Sequence, residues 1–162
     1  MADKVWSGAV SGDPTVAGNW TGGVPGAGDN AYIPATATVN MSGGNLGAAL
    51  IALWAVELGC TVTFGTAASP LILQCTTINW YGTGVAYVQA ATAITNFNVY
   101  QAGAGAGTGQ HGMAITGSTI TTLSVTESCT GTVGVAMTSG ATATVTTAKI
   151  AALNVTAAEL AA

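Results

Sequence analysis

Large apolar residues recur along this chain in a hexad of the form I-x-x-Φ-x-V, where Φ is a bulky apolar side chain. The copies are IALWAV from Ile51, ITNFNV from Ile94, ITTLSV from Ile120 and IAALNV from Ile150. A fifth, INWYGT from Ile78, keeps the first two anchors and lacks the valine. Five residues ahead of the isoleucine another apolar residue stands in most copies, at Leu46, Leu73, Ile115 and Val145; in the Ile94 copy that place is Gln89, with Val88 one step earlier. The anchors at 51, 78, 94, 120 and 150 are separated by 27, 16, 26 and 30 residues. A short apolar unit at irregular spacing, with Gly-rich inserts between copies, predicts a β-solenoid: inward residues stack coil on coil, and outward loops vary in length. The β-branched content agrees, as in GATATVTTAKI from Gly140 to Ile150. The expected fold is therefore all-β, a short solenoid of about five irregular coils, roughly 24 Å tall at about 4.8 Å per coil.

Leu46, Leu50, Leu53 and Trp54 also fit an amphipathic helix, but they share the repeat anchors, so strand is the expectation there. The last residues, TAAELAA at 156–162, read as a capping tail.

The first 34 residues break the pattern. They hold three of the four prolines and two of the four tryptophans. The turn signals Gly12-Asp13-Pro14, Gly22-Gly23 and VPGAGD from Val24 to Asp29 lead into the alternating NAYIPATATVNM. A short solenoid needs its open apolar ends covered. Residues 1–34 are thus expected to form an N-terminal cap and lead-in, with 35–162 as the solenoid body. Trp6, Trp20, Pro25 and Asp29 are the expected cap residues, the tryptophans being large enough to plug a coil end. Asp13, Asp29, Asn19 and Asn30 offer oxygen ligands for calcium, but side chains tying down turns explain them more simply, so no metal is expected.

Charge narrows the function classes. Only 5% of the residues are charged, arginine is absent, and the lysines are Lys4 and Lys149. That excludes recognition of nucleic acid or of an anionic membrane through a basic patch. The longest strongly apolar run, Leu46 to Val56, is shorter than the ~20 residues of a spanning helix. No secretory signal precedes the cap, which predicts a protein assembled inside a cell. Cys60, Cys75 and Cys129 read as small buried hydrophobes in a reduced compartment, and the sequons at Asn19, Asn40 and Asn154 as chance. With so few charges the outer faces must carry Thr, Ser, Asn and Ala plus leftover apolar area, which predicts self-association, best as a side-by-side homotrimer.

Reactive groups are scarce, so no enzyme activity and no cofactor are expected. His111 is the only histidine and has no acid or thiol beside it in sequence. Gly107, Gly109 and Gly112 match G-x-G-x-x-G, but a strand-like segment follows instead of a helix. Glu57 and Glu127 fall near the ends of two hexads, about 14 Å apart by coil stacking, too far for a glycosidase pair. Trp80, Tyr81, Tyr87 and Tyr100 are the candidates for contact with a partner protein or a glycan.

The opening segment resembles the start of β-solenoid domains in bacterial autotransporter-like surface proteins and phage virion proteins. The residues that carry the resemblance are Trp6-Ser7-Gly8, then Asn19-Trp20-Thr21-Gly22-Gly23-Val24-Pro25, then Gly28-Asp29-Asn30-Ala31-Tyr32-Ile33. It covers about a fifth of the chain and implies a first coil with its cap, without catalytic residues. No signal peptide, long passenger or membrane barrel is expected from these residues, which departs from the pattern of the surface proteins. It is more similar to small phage capsid decoration (cement) proteins. The resemblance implies a structural virion protein, assembled in the host cytoplasm, that binds the major capsid protein on the capsid surface. A carbohydrate-binding adhesin or tail-fibre module is the alternative.

Overall fold

The computed structural model describes residues 1–45, 51–66, 68–90, 94–100, 113–117, 120–125 and 145–150. Among the described residues twelve strands form two sheets. Along the chain they are β1 (Asp3–Trp6), β2 (Trp20–Thr21), β3 (Asn30–Ile33), β4 (Gly44–Asn45), β5 (Ile51–Val56) and β6 (Leu71–Leu73). There follow β7 (Cys75–Trp80), β8 (Ala86–Ala90), β9 (Ile94–Val99), β10 (Met113–Gly117), β11 (Ile120–Val125) and β12 (Val145–Ile150). The long sheet runs β12-β11-β9-β7-β5-β3-β1-β2 and the short one β10-β8-β6-β4. From β3 to β11 the described strands alternate between the sheets, and every pairing from β3 onward is parallel, which makes the fold a β-solenoid. Four passages through the short sheet make about four turns, against the five expected; β12 adds one further rung to the long sheet. The only helical element among the described residues is a 3-10 turn at Ala17–Asn19, so no helix there is long and apolar enough to cross a membrane.

Register replaces two of the five anchors. Trp54 pairs with Ile78 and Ile78 with Phe97, so Ile78 fills the Φ position and the copy begins at Cys75, as CTTINW. Val125 pairs with Ile150, so the last copy is VTTAKI from Val145. The true first positions are Ile51, Cys75, Ile94, Ile120 and Val145. The 16-residue interval was a shifted copy rather than a shortened turn. Cysteine hid the copy because it is a small apolar residue doing the work of isoleucine; in the last copy valine and isoleucine exchange ends.

The hexad has a physical reason. In β5 and β7 positions one, four and six are buried, and β9 repeats the arrangement. Strict alternation cannot bury both one and four. The pairing omits the second residue of each strand, running Ile51↔Cys75 and then Leu53↔Thr77, and Ile120↔Ile94 and then Thr122↔Asn96. The burial phase shifts beside that gap in the ladder, and from position four the alternation runs in phase with the core. Inside, Trp54, Ile78 and Phe97 stack as one column and Val56, Trp80 and Val99 as another, all fully buried. Leu71 and Val88 do the same on the short sheet, and Phe64 bridges Met41 and Ala86 at its margin. Coils approach closely at Gly84, where a Cβ would run into the carbonyl oxygens of Val62 and Thr61.

The lead-in shares the sheet with the body. β1 pairs in parallel with β3, continuing the solenoid's rungs, and β2 folds back antiparallel on β1 through Val5↔Thr21 and Trp6↔Trp20. Only two residues long, β2 leaves little unpaired edge.

A candidate binding face on the outer side of the long sheet

The cap residues are held by local hydrogen bonds. Asn19 is fully buried: its Oδ1 accepts from the Val10 and Ser11 amides at 2.9 and 2.8 Å, and its Nδ2 donates to Ser11 Oγ and the Asp13 carbonyl at 3.0 and 2.7 Å. Trp20 donates its indole N–H to the Pro14 carbonyl at 2.8 Å. Trp6 meets Trp20 edge to face at 5.2 Å, and Trp20 meets Trp54 likewise at 5.9 Å, so three indoles run from the cap into the first coil of the body. Gly8 follows Trp6 because φ there is +58° and a Cβ would press on Val39 at 2.8 Å. Pro25 is buried.

Of the four oxygen-bearing residues weighed for calcium, Asn19, Asp13 and Asp29 tie down turns and loops of the lead-in, whereas Asn30 bonds across two strands. Asp13 accepts from the Thr15 hydroxyl and amide, which hold its carboxyl below the usual range. Asp29 accepts from the Ala2 and Gly26 amides with the same effect. Asn30 donates to Asp3 at 2.8 Å.

The four aromatic candidates separate. Trp80 is fully buried, with its N–H donated to the Gly82 carbonyl at 3.1 Å, and therefore is not a partner or glycan contact. It occupies position six of β7, in register with the buried Val56 and Val99. Tyr87 lies half-buried on the short sheet, away from the others. Tyr81 and Tyr100 come together on the long sheet: each follows position six of its strand, the coil step brings them level, and their rings stack at 4.2 Å with 6° between planes.

Beside that stack the outer face of β3, β5, β7, β9 and β11 is a ladder of uncharged side chains, whose rows continue in register to Asp3 of β1 at one end and Lys149 of β12 at the other. Tyr32, Ala55, Asn79, Asn98 and Ser124 lie in one row, and Asn30, Leu53, Thr77, Asn96 and Thr122 in the next. Asn98 Nδ2 donates to Asn79 Oδ1 at 2.9 Å along the first row. Because Ala55 is small between Tyr32 and Asn79, the row dips into a cleft of about 320 Å³. Tyr32, Leu53, the exposed Leu58, Asn79 and Tyr81 are among the residues lining it, with Glu57, whose Oε2 accepts from the Ala35 amide at 3.2 Å. No family profile, curated protein or solved structure matches this chain.

Tyr32, Leu53, Ala55 and Asn79 were not among the sequence candidates. The signal lay in register: aligning the copies on Cys75 puts Ala55, Asn79 and Asn98 in one outward row, whereas aligning on Ile78 scatters them. His111, the glycines at 107, 109 and 112, Glu127, Cys129 and the tail at 156–162 lie outside the described residues. Cys60 and Cys75 are buried; burial pushes both thiols up, Cys75 to about 12, which leaves that thiol protonated and inert at neutral pH.

Proposed function

We propose that this chain is a structural, non-catalytic bacteriophage virion protein that decorates and stabilises the capsid surface as a homotrimer bound to the major capsid protein. The observation that carries the reading is the outer face of the long sheet. Five successive strands of it, β3, β5, β7, β9 and β11, contain no charged residue. A regularly paired surface whose five strands carry no charge matches the centre of a protein–protein interface, where charged residues are depleted. The sheet has rigid rungs and a cap bonded to its first coil, so it meets a partner without ordering new chain. The resemblance of the opening segment to phage virion solenoids gives the particle as the setting.

The outer surface over β7, β9 and β11 is the proposed contact between subunits. Mass photometry at micromolar concentration should find trimers, and Asn96→Lys, which puts a charge in the middle of that surface, should shift them to monomers. Antibody labelling of phage particles in the electron microscope should decorate the shell. A strict monomer, or label confined to the tail or absent from particles, would sink the proposal.

A further inference from the structure

We propose that the cleft over Ala55 binds one pyranose ring of a neutral glycan, gripped between the Tyr32 and Tyr81 rings, with Glu57 and Asn79 meeting its hydroxyls. The site lies at the cap-proximal end of the long sheet, on β3, β5, Asn79 of β7 and the residues after β5 and β7, with Asn79 at the border of the proposed subunit contact. It does not depend on that contact.

Four features define the ligand. Tyr81 has one ring face against Tyr100, and parallel stacking along the coil direction turns its other face toward the preceding coil, which holds the cleft. A fixed aromatic face is what the apolar C–H side of a sugar ring packs against. The Asn98-to-Asn79 hydrogen bond uses Asn79 Oδ1, leaving the Asn79 amide N–H groups as donors directed at the next row position. That position is Ala55, which has no acceptor to offer. Glu57 supplies the complementary acceptor, since Oε2 is bonded to Ala35 and Oε1 has no protein partner among the described residues. A donor and an acceptor placed across an apolar floor suit a ring bearing vicinal hydroxyls.

Charge sets the class of sugar. The cleft contains a carboxylate and, among the described residues, no cation lines it, so a uronic acid or phosphosugar would meet repulsion without compensation. Its size, at the lower end of the roughly 300–1,000 Å³ span of small-molecule sites, suits a single ring.

The test is an NMR titration of the intact protein with methyl glucoside, methyl galactoside and methyl N-acetylglucosaminide, beside methyl glucuronide as the charged control. At least one neutral glycoside should saturate with a roughly millimolar Kd, shifting amides of β3, β5 and β7. Tyr81→Ala and Ala55→Leu should each weaken it at least about tenfold, whereas Tyr87→Ala, on the other sheet, should leave it unchanged. Ala55→Leu fills the cleft from a surface position, so an unchanged melting temperature separates lost binding from lost fold. Failure of every neutral glycoside to saturate, undiminished binding in Ala55→Leu, or equally tight binding of the glucuronide would overturn the assignment.

Discussion

Asn19 spends four hydrogen bonds holding residues 10–13 against the cap, and none of its polar atoms reaches water. Substituting it by alanine would strand the Val10 and Ser11 amides and the Asp13 carbonyl, so Asn19→Ala should cost about 2–4 kcal/mol in a urea titration. Asn19→Asp should recover only part, because the lost amide donors served Ser11 Oγ and the Asp13 carbonyl. Asp29 gives a second prediction at this scale. Amide donors hold its folded carboxyl below the ordinary value of 3.8, so the folded state binds that proton less tightly than the unfolded chain. Its contribution is complete above that value and is lost as the pH falls through it toward the lower folded value. Melting temperatures followed from roughly pH 5 to pH 2.5 should fall, and Asp29→Asn should fall less steeply over that window. Equal slopes would assign the acid sensitivity to other carboxyls, Asp13 first.

Within a coil the unit of stability is the column rather than the strand. Trp80 continues the Val56–Val99 column and meets Phe64 edge to face at 4.8 Å, so it joins the two sheets across the core. Trp80→Ala should therefore cost about 3–5 kcal/mol, whereas Tyr81→Ala, one residue on and half-exposed, should cost far less. Paired denaturation curves of the two variants make the comparison, and similar losses would contradict the placement of Trp80 in the core. The hexad was legible as a repeat because positions one, four and six see the same interior in β5, β7 and β9. One copy was misplaced because a column accepts any apolar side chain that fits between its neighbours, cysteine at 75 included, and the last because its register starts at Val145 instead of Ile150. Sequence shows apolar character at these places, and only the ladder shows which residues stand opposite one another.

For the whole molecule the cap decides whether the solenoid remains closed. Residues 1–29 cover β3 with β1 and bring Trp6 and Trp20 to the Trp54 end of the core. Removing them would leave β3 as an exposed parallel edge beside an open apolar interior, the template for edge-to-edge pairing. A chain starting at Asn30 should scatter light and elute as large assemblies. A soluble species of the same oligomeric state as the full chain would show that the lead-in is dispensable for closure.

By itself the sequence determined the all-β solenoid, the segregation of tryptophans, prolines and turns into the first 34 residues, and the scarcity of charge. These are properties of composition and local spacing, set by which residues tolerate strands, turns and burial. Tertiary structure decided which copies align, that Trp80 faces inward while Tyr81 meets Tyr100, and that Ala55 leaves a cleft between Tyr32 and Asn79. Those outcomes depend on register between coils some twenty residues apart. A one-residue slip turns a side chain from the core to the outer face, and no local propensity distinguishes the two.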